Sequence, residues 1–138
     1  MRFPALQQWL DWQEQLHPSP MDLGLPRVRD VAARMEWPAR PFRLVTVAGT
    51  NGKGSSVAFL RTALGNAGWR VGSYTSPHLL RYNERICING EPVDDAAIMA
   101  SFHRLDEARG EITLTYFEYG TLAAMDQFYR QQCDVAIM

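Results

Sequence analysis

Residues 44–56 read LVTVAGTNGKGSS, a short apolar run passing into a glycine-rich turn that carries one lysine, and residue types in that order hold phosphate. Gly49, Gly52 and Gly54 allow positive φ and let backbone N–H groups approach an anion closely. Lys53 adds a flexible point charge able to reach the terminal phosphates of a nucleotide, and a hydroxyl just beyond it can approach Mg²⁺. Periodicity predicts a helix from Ser56 to Ala67 with Val57, Leu60, Ala63 and Leu64 on one face, its dipole aimed at the anion and Gly68 closing it. The match to the phosphate-loop pattern G-x-x-x-x-G-K-[ST] is inexact: the first glycine falls at Val47, and Gly54 stands between Lys53 and Ser55. A plain strand-to-helix turn with a solvated lysine is the competing reading.

The elements that must position this turn follow from patterning. A helix is predicted over Ala5 to Leu16, with Leu6, Trp9, Leu10 and Leu16 at helical spacing and Pro18 and Pro20 stopping it. After the loop 21–25, Pro26 starts a second helix to about Glu36, with Val28, Val31, Ala32 and Met35 as its apolar face. Pro38 and Pro41 mark a connector into the strand at Leu44. Arg70 to Thr75 reads as a second strand, and Asn89-Gly90 as a type I′ turn joining Arg85–Ile88 to Glu91–Val93. Asp94 or Asp95 caps a helix to Arg109 that Gly110 ends, another helix covers Phe117 to Gln131, and Asp134–Met138 is a buried strand. Alternating strands and helices predict an α/β fold, a parallel, doubly wound sheet flanked by helices with the phosphate loop at the carboxyl end of its first strand. Residues 1–42 then form an N-terminal helical segment and 43–138 an incomplete phosphate-loop core. The apolar terminal strand, with nothing after it, reads as an unpaired edge and the sequence as cut short.

With 138 residues, 46% of them hydrophobic, the chain can bury roughly two thirds of its unfolded surface in one core. Fourteen basic against fifteen acidic residues, net −1, leave no electrostatic footprint for nucleic acid or an anionic membrane, so phosphate binding has to be local. No apolar run nears the roughly 20 residues of a membrane span, and the first residues lack a signal peptide's continuous apolar core, which predicts a cytoplasmic protein. Cys87 and Cys133 have no ligand-spaced partners and read as buried, reduced thiols.

Four blocks then resemble a known family: MDLGLPRV at 21–28, GTNGKGS at 49–55, YTSPHLLRYNERICING at 74–90 and LTYFEYGT at 114–121. Together they look like the bifunctional dihydrofolate synthase/folylpolyglutamate synthases of the Mur ligase superfamily, over nearly all of this chain but only the first third or so of such an enzyme. The resemblance implies an ATP-dependent amide ligase that activates a pteroate-type carboxylate as an acyl phosphate and joins it to the amino group of L-glutamate. It implies that Thr50, Asn51, Gly52, Lys53, Gly54 and Ser55 bind ATP, with Lys53 catalytic, and that Ser76 is an Mg²⁺ ligand. It further implies that Asp22, Leu23, Gly24 and Leu25, with Thr115, Tyr116, Phe117 and Glu118, contact dihydropteroate. The family's remaining Mg²⁺ ligands and its C-terminal glutamate-ligase domain have no counterpart within the 138 residues, and the chain alone is expected to be inactive. A monomer acting on small molecules is expected.

Bland readings stand beside these. Ser76 can be an ordinary turn hydroxyl, Asp22 a turn stabiliser, Tyr116 and Phe117 core aromatics, and Glu118 a helix-start residue. His78 reads as a phosphate-orienting group or a local loop residue, and no role is assigned to His17 or His103. Arg81, Asn83, Glu84 and Arg85 read as a mobile substrate loop or, more simply, a solvated surface, and the four tryptophans as packing residues. Two other functions remain open: a peptidoglycan-precursor Mur ligase and a non-catalytic nucleotide-binding module.

Overall fold

The computed structural model describes residues 1–19, 24–38, 42–49 and 51–138. The chain divides into two compact units that are discontinuous in sequence, Met1–Pro38 with Asp95–Gln127, and Ala39–Asp94 with Phe128–Met138.

The first unit is helical: α1 Leu6–Leu16, α2 Pro26–Arg34, α4 Asp95–Arg109 and α5 Tyr116–Arg130 up to Gln127. Its core is aromatic. Trp9, Phe102 and Tyr119 are fully buried, with Phe102 5.9 Å from Trp9 and 5.9 Å, edge-on, from Tyr119. Trp12 extends the cluster, its ring capped by the guanidiniums of Arg2 and Arg109 at 4.5 and 5.3 Å. Gly110 at φ +58° ends α4 in the left-handed region. The α4 carbonyl of Arg109 accepts from Arg34 Nη1 at 2.9 Å, a cation at the negative end of the helix.

A five-stranded sheet forms the second unit. In space its order is β1-β5-β2-β3-β4, with β1 Arg43–Val45, β2 Val71–Tyr74, β3 Ile86–Ile88, β4 Glu91–Pro92 and β5 Val135–Ile137. β5 pairs in parallel with both β1 and β2. β2–β3 and β3–β4 are antiparallel, and Asn89 and Gly90 both adopt positive φ, as a type I′ turn requires. Helix α3, Lys53–Asn66, packs on one face through Val57, Leu60 and Leu64 against Val71, Val135 and Ile137. On the opposite face the ring of Phe128 lies where a Cβ of Gly72 would stand, edge-on to Phe42 at 5.5 Å.

Three expectations change. The terminal strand is not an edge: β5 is buried between β1 and β2, and β1 is the outer strand. The crossover from β1 through α3 to β2 leaves a one-strand gap that β5 fills, an order in space that chain order does not reveal. Helix α3 starts at Lys53 rather than Ser56, because Gly52 takes the left-handed N-cap position (φ +76°) and frees Lys53–Ser55 to be helical. The stretch 81–85 is a solvated surface only in part: Arg81 is exposed and Glu84 and Arg85 are half-buried. Tyr82–Arg85 is a 3₁₀ turn with Tyr82 and Asn83 buried, and Asn83 Nδ2 donates to Val93 O at 2.8 Å. Pro20, Met21, Asp22, Leu23, Pro41 and Thr50, which figured in the sequence reading, lie outside the described residues.

Candidate functional site

The phosphate-loop residues stand where a parallel sheet delivers its ligands, beyond the carboxyl ends of its strands. From β1 the chain runs through Gly49 (φ +145°) to Gly52 and directly into α3. The first helical bond, Ser56 N–H to Gly52 O at 3.0 Å, leaves the N–H groups ahead of it without an intrahelical acceptor. Among the described residues no side chain caps this N-terminus and no acidic residue stands in its first turn, so no carboxylate of that turn competes with an anion. Asn51, Gly52, Lys53, Gly54 and Ser55 are all exposed. The arrangement is an open, positively biased helix end with the exposed ammonium of Lys53 on its first residue.

Ser76 is exposed in the loop that follows β2. Since β1 and β2 both run parallel to β5, that loop and the phosphate loop leave the same end of the sheet, two strand spacings apart, about 9–10 Å. The loop owes its shape to Glu84, which the sequence reading placed only in a mobile loop or a solvated surface: its carboxylate accepts the N–H groups of Leu79, Leu80 and Arg81 at 2.8, 3.1 and 3.0 Å. The N–H of Leu79, then that of Arg81, hold its carboxyl below the usual glutamate range. The only available signal was a glutamate set three residues into a turn. The Nδ1 of His78 accepts from Arg85 Nε at 2.9 Å, a local bond within the loop. Leu79 and Leu80 are 91% and 89% exposed.

Arg27, two residues past the first of the segments expected to meet dihydropteroate, reaches the second within the helical unit. Gly24 and Leu25 are exposed just ahead of α2, and from the first turn of α2 Arg27 donates to Thr113 O at 2.8 Å and to both carboxylate oxygens of Glu118 at 2.8 and 3.0 Å. Glu118 and Thr115 also close the N-terminus of α5 reciprocally: Thr115 N–H donates to Glu118 Oε1 at 2.9 Å and Glu118 N–H to Thr115 Oγ1 at 3.1 Å. Both are buried, while Phe117 is 54% exposed. Tyr116 and Thr115 line a cavity of about 390 Å³ together with Gln13, Glu14, His17 and Ser19, within the size range of small-molecule sites. His17 Nδ1 lies 2.7 Å from Thr113 Oγ1. Among the described residues no three His, Cys, Asp or Glu side chains gather as a metal site.

No family model matches the chain. It is 50% identical over 135 residues to the dihydrofolate synthase/folylpolyglutamate synthase of Escherichia coli strain K12, covering 96% of this chain and 32% of that protein. To the Haemophilus influenzae protein of the same name it is 46% identical over 133 residues, covering 96% and 30%. Among solved structures, the Escherichia coli protein in complex with DHPP and ADP matches with a TM-score of 0.91 at 49% identity, over 96% of this chain and 32% of that one. The bifunctional synthase of Yersinia pestis complexed with AMPPNP and Mn ion matches with a TM-score of 0.90 at 47% identity, over 96% and 32%. The chain thus spans about a third of the length of the relatives it matches.

Proposed function

We propose that this chain, homologous over 96% of its length to the dihydrofolate synthase/folylpolyglutamate synthases, supplies the nucleotide loop and a substrate segment of an ATP-dependent ligase that adds L-glutamate to dihydropteroate or to folates. The observation that carries this reading is the uncapped N-terminus of α3, with left-handed Gly52 before it and Lys53 as its first residue.

A carboxylate is a poor electrophile. Transfer of the γ-phosphoryl group of ATP to it makes an acyl phosphate, whose phosphate leaves when the glutamate amine attacks and the amide forms. In the transfer, this chain's part is positioning and charge. Thr50, Asn51, Gly52, Gly54 and Ser55 hold the phosphates through N–H and hydroxyl groups, and Lys53 neutralises the charge that builds on the moving group. Mg²⁺, when bound, neutralises phosphate charge. Ser76 offers it one hydroxyl, and the ion needs near-octahedral oxygen coordination, so these residues do not complete a metal site; we propose on that ground that the 138 residues alone do not ligate. Asp22, Leu23, Gly24, Leu25, Thr115, Tyr116 and Phe117 face the pterin-bearing substrate, with Glu118 holding that segment's shape through Arg27. On this reading the reaction is cytoplasmic, where ATP is supplied, and the partners are small molecules bound by a monomer. Among the described residues no helix is long and apolar enough to cross a membrane.

The test is thermal unfolding of the chain with ATP and Mg²⁺ beside Lys53→Ala. At about 100 times Kd the ligand stabilises the native state by roughly 2.7 kcal/mol, and the variant loses that shift. An equal shift in both proteins removes Lys53 from the site. Competition between dihydropteroate and a UDP-sugar separates this reading from a peptidoglycan-precursor ligase. A nucleotide shift with no turnover, even when the rest of a relative is supplied in trans, indicates a non-catalytic module.

A further inference from the structure

Gln13, on the last turns of α1, is 1% exposed, and neither its amide oxygen nor its amide nitrogen has a hydrogen-bond partner. Burying a primary amide without partners is unfavourable, and buried polar groups are ordinarily satisfied. Gln13 also lines the 390 Å³ cavity beside Tyr116 and Thr115, with Glu14 in the same wall. We propose, on the reading above that residues 115–117 face the pterin-bearing substrate, that Gln13 is a specificity residue for that substrate. Its amide pairs with the lactam edge of the flat heteroaromatic ring.

The ligand chemistry follows from the lining. A primary amide presents one acceptor and one donor side by side in a plane, and its complement is a ring carrying an N–H next to a carbonyl. Tyr116 supplies an aromatic surface for such a ring. The carboxylate of Glu14 disfavours an anion and accepts from an exocyclic amino group. All six lining residues belong to the helical unit, whereas the phosphate-loop residues belong to the sheet unit. Because the amide is closed off from solvent, ligand entry has to turn it outward, and the partners it then gains favour the bound state.

The test uses Gln13→Met, close in shape and without the amide, and Tyr116→Ala, each titrated with dihydropteroate, p-aminobenzoate and ATP. Gln13→Met is expected to weaken dihydropteroate roughly 10- to 100-fold, the loss of two neutral hydrogen bonds, and to leave ATP and p-aminobenzoate unchanged. It is also expected to melt at the same temperature as the wild type or higher when ligand-free. A merely structural glutamine would lower the melting temperature, and that result overturns the inference. Unchanged dihydropteroate affinity in Gln13→Met, with a loss in Tyr116→Ala, overturns it while leaving the substrate reading in place. No dihydropteroate binding by the wild type overturns both.

Discussion

Single residues decide where this chain tolerates no change. Gly72 is glycine because the Phe128 ring occupies the place of its Cβ, in a sheet otherwise rich in branched side chains. Gly72→Ala is expected to destabilise by about 1–3 kcal/mol through overpacking, read as a lower urea midpoint, and adding Phe128→Leu should recover part of the loss. Asp126 is fully buried, which alone would raise its carboxyl pKa, yet Arg104, Ser101 and Trp37 donate to it and hold it below the usual value. A depressed folded pKa stabilises above the unfolded value of about 3.9 and stops doing so as pH falls through the folded value. Asp126→Asn should therefore cost roughly 1–3 kcal/mol at neutral pH, and the gap to wild type should narrow between about pH 5 and pH 2 in urea titrations. Of these residues, Gly72 gave no sign in the sequence, because the clash lies with a residue 56 positions away.

At the scale of elements, most boundaries were legible because local chemistry sets them. Pro26 opens α2, Gly68 and Gly110 terminate α3 and α4 at positive φ, and Asn89-Gly90 turns the hairpin. The start of α3 was misjudged by three residues, since whether a glycine is an N-cap or a loop residue depends on its φ. The box at the start of α5 is testable in the same local terms. Thr115→Ala removes the acceptor for Glu118 N–H and should cost about 0.5–2 kcal/mol in thermal unfolding, with Thr115→Ser retaining most of the stability. In the segment 81–85 the charges suggested water and nothing more, whereas the carboxylate of Glu84 also gathers three backbone N–H groups and Asn83 reaches Val93.

For the whole molecule, the two cysteines report on integrity. Burial raises the pKa of both thiols, that of Cys133 to about 11, so neither presents thiolate near neutral pH. An aromatic disulfide reagent at about pH 8 should leave both unreacted in the folded chain and titrate two thiols in denaturant; fast reaction without denaturant would mean that the sheet unit opens readily.

By itself the sequence determined the glycine-rich turn ahead of α3, the element types, the hairpin and the likeness to folate ligases, since these rest on φ preferences, periodicity and motif order, all properties of neighbouring residues. Only the tertiary structure decided that β5 lies between β1 and β2, that residues 95–127 fold with 1–38, that Arg27 joins α2 to the start of α5, and that Gln13 is buried without a partner. Each of these depends on which apolar faces meet and which polar atoms water can no longer reach, and both are settled by contacts between residues far apart in the chain.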